Sequence, residues 1–165
     1  MKNIDKKVLH LLEEDPRLNA ETLSTMLDKE VGEIKDIITK YEENGVIVGY
    51  RTLIDWEETD VEKVTALIEL KVTPKRDGGY DRVAEKIYHY PEVKDMYLMS
   101  GGYDFTVIIE GKTMKEVALF VAEKLAPAEG VISTATHFVL RKYKTESVIH
   151  GAKLNVDERE KGILL

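Results

Sequence analysis

From Val93 to Gly111 the chain reads VKDMYLMSGGYDFTVIIEG, two alternating runs separated by Ser100-Gly101-Gly102. In the second run Tyr103, Phe105, Val107 and Ile109 share one face, and Asp104, Thr106 and Ile108 the other. Period-2 alternation on both sides of a glycine pair predicts a β-hairpin, because glycine accepts the positive φ of a two-residue turn. Asp104 stands at the mouth of the second strand, on the mixed face. A hairpin with one apolar face needs a layer to cover it, so the flanking sequence must supply helices.

It does so on both sides. Val64–Val72 alternates as a strand, with Val64, Ala66, Ile68 and Leu70 on one face. Pro74–Gly79 reads as a loop. Tyr80, Val83, Ala84, Ile87 and Tyr88 then form a helical apolar stripe that ends before Pro91. After the hairpin, Thr113-Met114-Lys115-Glu116 has the form of a capping box. It opens a helix with Met114, Val117, Ala118, Val121 and Leu125 on one side, and a last strand runs from Val131 to about Lys142. The order β-α-β-β-α-β is the split βαβ arrangement of ferredoxin-like sandwiches. Two helices cover one face of such a sheet and leave the other bare, and a partly apolar bare face is expected to bind a second subunit.

The first 54 residues have a different period. Ile4, Val8, Leu11 and Leu12 follow helical spacing up to Asp15-Pro16. Asn19 is placed to cap a second helix carrying Leu23, Met26 and Leu27. Ile34, Ile37, Ile38 and Tyr41 mark a third helix, ended by Asn44-Gly45, and Val46–Ile54 looks extended. Three short helices and a strand predict a helix-turn-helix of winged-helix-like form. The fold class is therefore α+β, with residues 1–54 as a helix-turn-helix domain and 55–63 as a polar linker. Residues 64–150 form a ferredoxin-like domain and 151–165 a charged tail.

Among 165 residues there is no cysteine, so thiolate metal sites and nucleophiles are excluded. No apolar run approaches the roughly 20 residues needed to span a bilayer. The N-terminus lacks the apolar segment of a signal peptide, so a cytoplasmic protein is expected and no membrane partner. His10, His89, His137 and His150 are scattered without metal-ligand spacing. No phosphate-binding glycine motif or nucleophile motif is present, so neither a cofactor nor enzymatic activity is expected. The formal charge of −7 argues against coating nucleic acid by charge alone, yet permits a local basic reading surface.

Asp104 is the carboxylate with a suggestive setting. It directly follows Gly101-Gly102-Tyr103, where turn amides can hold a carboxylate while Asp104 holds an ammonium, an arrangement suited to a small zwitterion. The alternative is that Asp104 caps its own turn.

Four stretches together resemble the leucine-responsive regulatory protein/AsnC (feast/famine) family of transcription regulators. Ile4-Asp5 with Val8-Leu9 and Leu11-Leu12 is similar to the family's opening helix. Glu42-Glu43-Asn44-Gly45-Val46-Ile47-Val48-Gly49-Tyr50 is similar to its recognition-helix exit. Ser100-Gly101-Gly102-Tyr103-Asp104 resembles its effector loop, and Gly130–Thr136 with Val139-Leu140 its final strand. The resemblance implies DNA binding, an amino-acid-like effector, and homodimers that assemble into an octamer. It places the effector at Gly101, Gly102, Tyr103 and Asp104, with Thr134 and Thr136 as hydroxyl partners. For DNA, Lys29, Lys35, Lys40 and Arg51 are the candidate phosphate contacts and Thr39 the candidate base contact.

One departure stands out. Where the family enters its recognition helix through Gly-Leu-Ser, this chain has Asp28-Lys29-Glu30, and Ile37 replaces an arginine. Across residues 28–44 three lysines face six carboxylates, a net −3. An acidic helix suits a phosphate-lined groove poorly, so a ligand-sensing oligomeric scaffold with a degenerate DNA reader is the second reading.

Overall fold

The computed structural model describes residues 1–73 and 79–151. The chain divides into two compact units, Met1–Ile54 and Asp55–Leu165. Of the loop expected at Pro74–Gly79, residues 74–78 lie outside the described residues and Gly79 instead opens a helix, and the tail beyond Gly151 also lies outside them.

The first unit consists of α1 (Asn3–Glu14), α2 (Ala20–Leu27) and α3 (Val31–Glu43). Asn19 caps α2, its Oδ1 accepting the Thr22 N–H at 2.8 Å, as its residue type suggests. Val8, Leu12, Ala20, Leu23 and Ile34 form the buried core, with Ile47 packed against it. The tight turn between α2 and α3 needs a left-handed residue, and Asp28 supplies it at φ +52°. Aspartate tolerates this region better than most non-glycine residues. At the end of α3, Gly45 (φ +66°) allows its own N–H to reach Glu42 O and the Val46 N–H to reach Tyr41 O. Those two bonds complete a Schellman cap.

Val46–Ile54 was expected to be a strand and is not one among the described residues. A strand needs a hydrogen-bonded neighbour, and this unit contains no other strand. Val48 is left 93% exposed.

Periodicity also passed over Asp5, which is 3% exposed in the first turn of α1. The Tyr41 hydroxyl donates to its Oδ2 at 2.7 Å, and Lys40 Nζ lies 3.7 Å away. This ties α1 to α3 across a sequence separation that no local pattern encodes.

In the second unit a 3-10 turn, Trp56–Glu58, precedes β1 (Val64–Val72), α4 (Gly79–Tyr88), β2 (Val93–Leu98), β3 (Phe105–Gly111), α5 (Met114–Phe120) and β4 (Val131–Phe138). The strands form one antiparallel sheet in the order β2-β3-β1-β4, that of a ferredoxin-like sandwich. Ala66, Ile68 and Leu70 of β1 pair with Ile109, Val107 and Phe105 of β3. All six are buried with Val83 and Ile87 of α4 and Val117, Phe120, Val121 and Leu125 of the second helical stretch.

Several local expectations need correction. The hairpin closes through six residues, Met99–Asp104, with the Met99 N–H donating to Asp104 O at 2.8 Å. Only Gly101 takes a positive φ (+136°), so the connection is not a two-residue Gly-Gly turn. The stripe of α5 is rotated: Met114 and Ala118 are exposed, and Phe120 replaces them in the core. A π-helical turn at Val121–Leu125 follows α5, and both Val121 and Leu125 stay buried across it. The capping box is half formed. Thr113 accepts the Glu116 N–H at 3.1 Å, but Glu116 accepts from Lys112 N, not Thr113 N. Tyr88 is half exposed, while Tyr90 packs edge-on against Phe120 at 5.4 Å. The last strand stops at Phe138, and Lys144–Thr145 (β5) pairs with Val148–Ile149 (β6) in a small hairpin that alternation did not reveal.

Two outcomes follow for stability. Ile34→Ala empties a fully buried position of the first unit and should cost about 2–5 kcal/mol, read by denaturant unfolding. Asp5 sits below the ordinary carboxylate range because Tyr41 donates to it. Its stabilising effect is therefore complete above the unfolded value of about 3.9 and fades as pH falls through the lowered folded value. Thermal melts should show the gap between wild type and Asp5→Asn narrowing below about pH 4.

Candidate functional site

The loop Met99–Asp104 lies at the start of β3, beside the end of β1 and the first turn of α4. Backbone bonds seat it: the Asp104 N–H donates to Leu70 O at 2.9 Å. The Asp104 side chain then reaches past its own turn. Oδ2 accepts the Val72 N–H at 2.8 Å, and Oδ1 accepts the Tyr80 hydroxyl at 3.2 Å. This charged acceptor holds the Tyr80 phenol above its ordinary range, so it stays a donor. Tyr80 in turn packs edge-on against Phe105, centroids 5.8 Å apart. Asp104 thus joins three elements, which differs from capping its own turn.

A carboxylate offers about four acceptor positions, and these two bonds leave room for an ammonium. Gly101 and Gly102 are exposed, and Tyr103 and Asp104 half buried. The Tyr103 hydroxyl accepts from Thr106 at 3.2 Å, which steadies the ring beside the loop. Tyr80 and the Val72 amide went unnoticed in sequence, because Tyr80 reads only as one member of an apolar stripe.

Thr134 and Thr136 are less close than expected. Thr134 pairs with Leu70, which pairs on its other side with Phe105, so β1 lies between the loop and β4. Two strand spacings are about 9.5 Å, enough for the threonines to flank a ligand without touching Asp104. Thr136 lies one pair further along, opposite Ile68.

The second candidate surface is α3. At about 100° per residue, Lys35, Thr39, Gly32, Glu43, Asp36, Lys40 and Glu33 fall on the side opposite buried Ile34 and Tyr41, and all seven are exposed. Acidic residues occupy the middle of this face. Lys35 Nζ is 3.0 Å from Glu21 Oε1 of α2. The hydrogen bond from Lys35 holds Glu21 below the usual carboxylate range. Lys40 is drawn toward Asp5 and lies 4.9 Å over the Tyr41 ring. Lys29, in the turn before α3, and Arg51, beyond its end, are exposed. Among the described residues no group of three or more His, Asp or Glu could hold a metal. No helix there is long and apolar enough to cross a membrane.

A helix-turn-helix unit followed by an antiparallel sheet unit with a seated turn is the plan of a ligand-responsive DNA-binding regulator. Residues 1–48 match the winged helix-turn-helix DNA-binding family, and residues 65–149 the Lrp/AsnC ligand binding domain. The chain is 47% identical over 146 residues to the uncharacterized HTH-type transcriptional regulator YugG of Bacillus subtilis, covering 88% of each. It is 30% identical to the HTH-type transcriptional regulator FL11 of Pyrococcus furiosus, over 86% of this chain and 91% of that one. Its fold is shared with the transcriptional regulator NMB0573 of Neisseria meningitidis, crystallised with L-Met (TM-score 0.70, 22% identity, 94% and 97% coverage). It is shared too with AsnC of E. coli (0.67, 19%, 88% and 95%). The chain belongs to the Lrp/AsnC family of HTH-type transcription regulators, whose members are regulators and not enzymes.

Glu21 competes with a phosphate for the charge of Lys35. Glu21→Gln should therefore strengthen DNA binding at low salt and steepen the slope of log affinity against log salt by up to about 0.9, one further phosphate contact. Gel shifts over a salt series read this, and an unchanged slope would take Lys35 off the contact surface.

Proposed function

We propose that this chain is an amino-acid-responsive transcription regulator. Residues 1–54 read DNA, 55–63 link, and 64–150 bind the effector and assemble the oligomer in the cytoplasm. The observation that carries this reading is Asp104, a carboxylate fastened at 2.8 and 3.2 Å to β1 and α4 with acceptor capacity to spare. In this reading its free lone pairs take the effector ammonium. The amides of Gly101, Gly102 and Tyr103 take its carboxylate, and Thr134 and Thr136 flank the far side. Because the same Asp104 side chain holds the end of β1 and the first turn of α4, an ammonium that draws on it alters both restraints. A relative crystallised with L-methionine makes methionine a reasonable first ligand to try.

On the DNA side, Lys29, Lys35, Lys40 and Arg51 meet phosphates and Thr39 a base edge. The bare sheet face makes the dimer. It carries Leu67, Ile108 and Tyr97 around buried Thr65 and Thr106, and its Glu110 is neutralised by Lys63 at 2.8 Å and Lys142 at 3.5 Å. Four dimers then build an octamer. The second reading, a scaffold whose reader has degenerated, is favoured by the acidic middle of α3 and the occupied Lys35. Binding that stays at the non-specific level on the chain's own upstream DNA would support it.

Asp104→Asn separates structure from ligand recognition. An asparagine oxygen can still accept from Val72 N–H while its NH2 donates to the Tyr80 oxygen, so thermal stability should change little. The charge-assisted bond to an ammonium, about 1.5–3 kcal/mol, disappears. Calorimetry with a panel of amino acids should show affinity falling roughly ten- to a hundredfold. Equal binding by the two proteins would place the effector elsewhere. Light scattering that finds a stable monomer at micromolar concentration would remove the assembly.

A further inference from the structure

The other end of β3 carries a second recess. A groove of about 380 Å³ runs along α5 and the π-turn, between them and the turn that precedes β2. Its floor is apolar, with Ile109, Val117 and Phe120 buried beneath it. Glu92 lines it, and Lys115 and Lys124 stand exposed on its rim.

Glu92 is held firmly in place. It follows Pro91 in a turn closed by the Val93 N–H donating to Tyr90 O at 3.0 Å, and its own carbonyl accepts the Glu110 N–H at 3.0 Å. Its side chain is a different matter. Oε2 is buried and, among the described residues, has no hydrogen-bond partner. Of the other carboxylates along the groove, Glu116 accepts from Lys112 N and Glu110 from Lys63, while Glu123 stands exposed on the rim. A buried charged oxygen without a donor is costly to keep, and such groups in native proteins call for a partner.

We propose that this groove is a second ligand site, which takes a small aliphatic ammonium compound. Glu92 accepts the ammonium, and Ile109, Val117 and Phe120 cover the carbon stem. The terminal torsion of a glutamate is broad, so a turn of the carboxylate brings Oε2 to the ligand without moving the backbone. Lys115 and Lys124 would hold an anionic tail where the ligand has one, as a free amino acid does. The site is independent of Asp104. At about 3.3 Å per strand residue, the two lie roughly 20 Å apart along β3.

The test is calorimetry on the full chain with n-pentylamine, L-norleucine and hexanoate, using wild type, Glu92→Gln and Asp104→Asn. Wild type and Asp104→Asn should bind n-pentylamine alike, Glu92→Gln at least tenfold more weakly, and hexanoate should not bind at this site. Norleucine binding that survives Asp104→Asn and falls with Glu92→Gln would make the ligand an amino acid. Amine binding alone would make it a simple amine. Glu92→Gln should also melt no lower than wild type, because it removes a buried charge that lacks a partner. Absence of amine binding to wild type, equal binding by Glu92→Gln, or a lower melting temperature for Glu92→Gln would each overturn the proposal. The Asp104 site is read separately, from whether a second amino-acid binding event disappears in Asp104→Asn.

Discussion

The carboxylate of Asp104 is the interaction on which the sensor unit's architecture turns. It accepts the Val72 amide, the last of β1, and the hydroxyl of Tyr80 in the opening turn of α4. Those are the two ends of a connection whose middle residues lie outside the described structure. One side chain of the β2–β3 loop therefore fixes where β1 stops and where α4 begins. Tyr80 carries the constraint inward by packing edge-on against Phe105, the first core residue of β3. A group so placed is coupled to the sheet and a helix at once.

The reader unit shows a similar economy with different chemistry. Its turn depends on a left-handed aspartate, and its first and third helices depend on the buried Asp5–Tyr41 bond. Carboxylates thus perform structural work that apolar residues or glycine perform elsewhere. The surface of α3 is acidic as well, through Glu33, Asp36 and Glu43, while Lys35 is paired with Glu21 and Lys40 leans toward Asp5. The Lys35–Glu21 pair, exposed on both sides, is worth little in isolation. Specific contacts, more than charge, must decide whether such a helix stays on DNA.

The sheet presents two unlike faces. One face is closed by α4 and α5 over an unbroken apolar layer. The other mixes Leu67, Ile108 and Tyr97 with threonines and a glutamate that two lysines already neutralise. A partly apolar surface of this kind suits a partner surface.

Much was legible in the residues alone, because it rests on local rules. The helical spacing of the first unit, the Asn19 cap, the glycine exit after Tyr41 and the alternation of β1 and β3 each determine an element without reference to anything distant. Their order selects the ferredoxin-like sandwich, and Gly-Gly-Tyr-Asp marks the loop. What tertiary structure decided are matters of partners. Val46–Ile54 alternates plausibly but finds no strand to pair with. The rotated stripe of α5 and its π-turn follow from packing Phe120 against Tyr90. Asp104 could cap or bind by its sequence setting, and only the approach of Val72 and Tyr80, 32 and 24 residues away, gave it another role. Asp5 left no mark in the helical spacing of α1, and only the fold brings Tyr41 to it. A hydrogen bond between distant residues leaves no periodic trace, since periodicity records burial and a buried polar pair interrupts it.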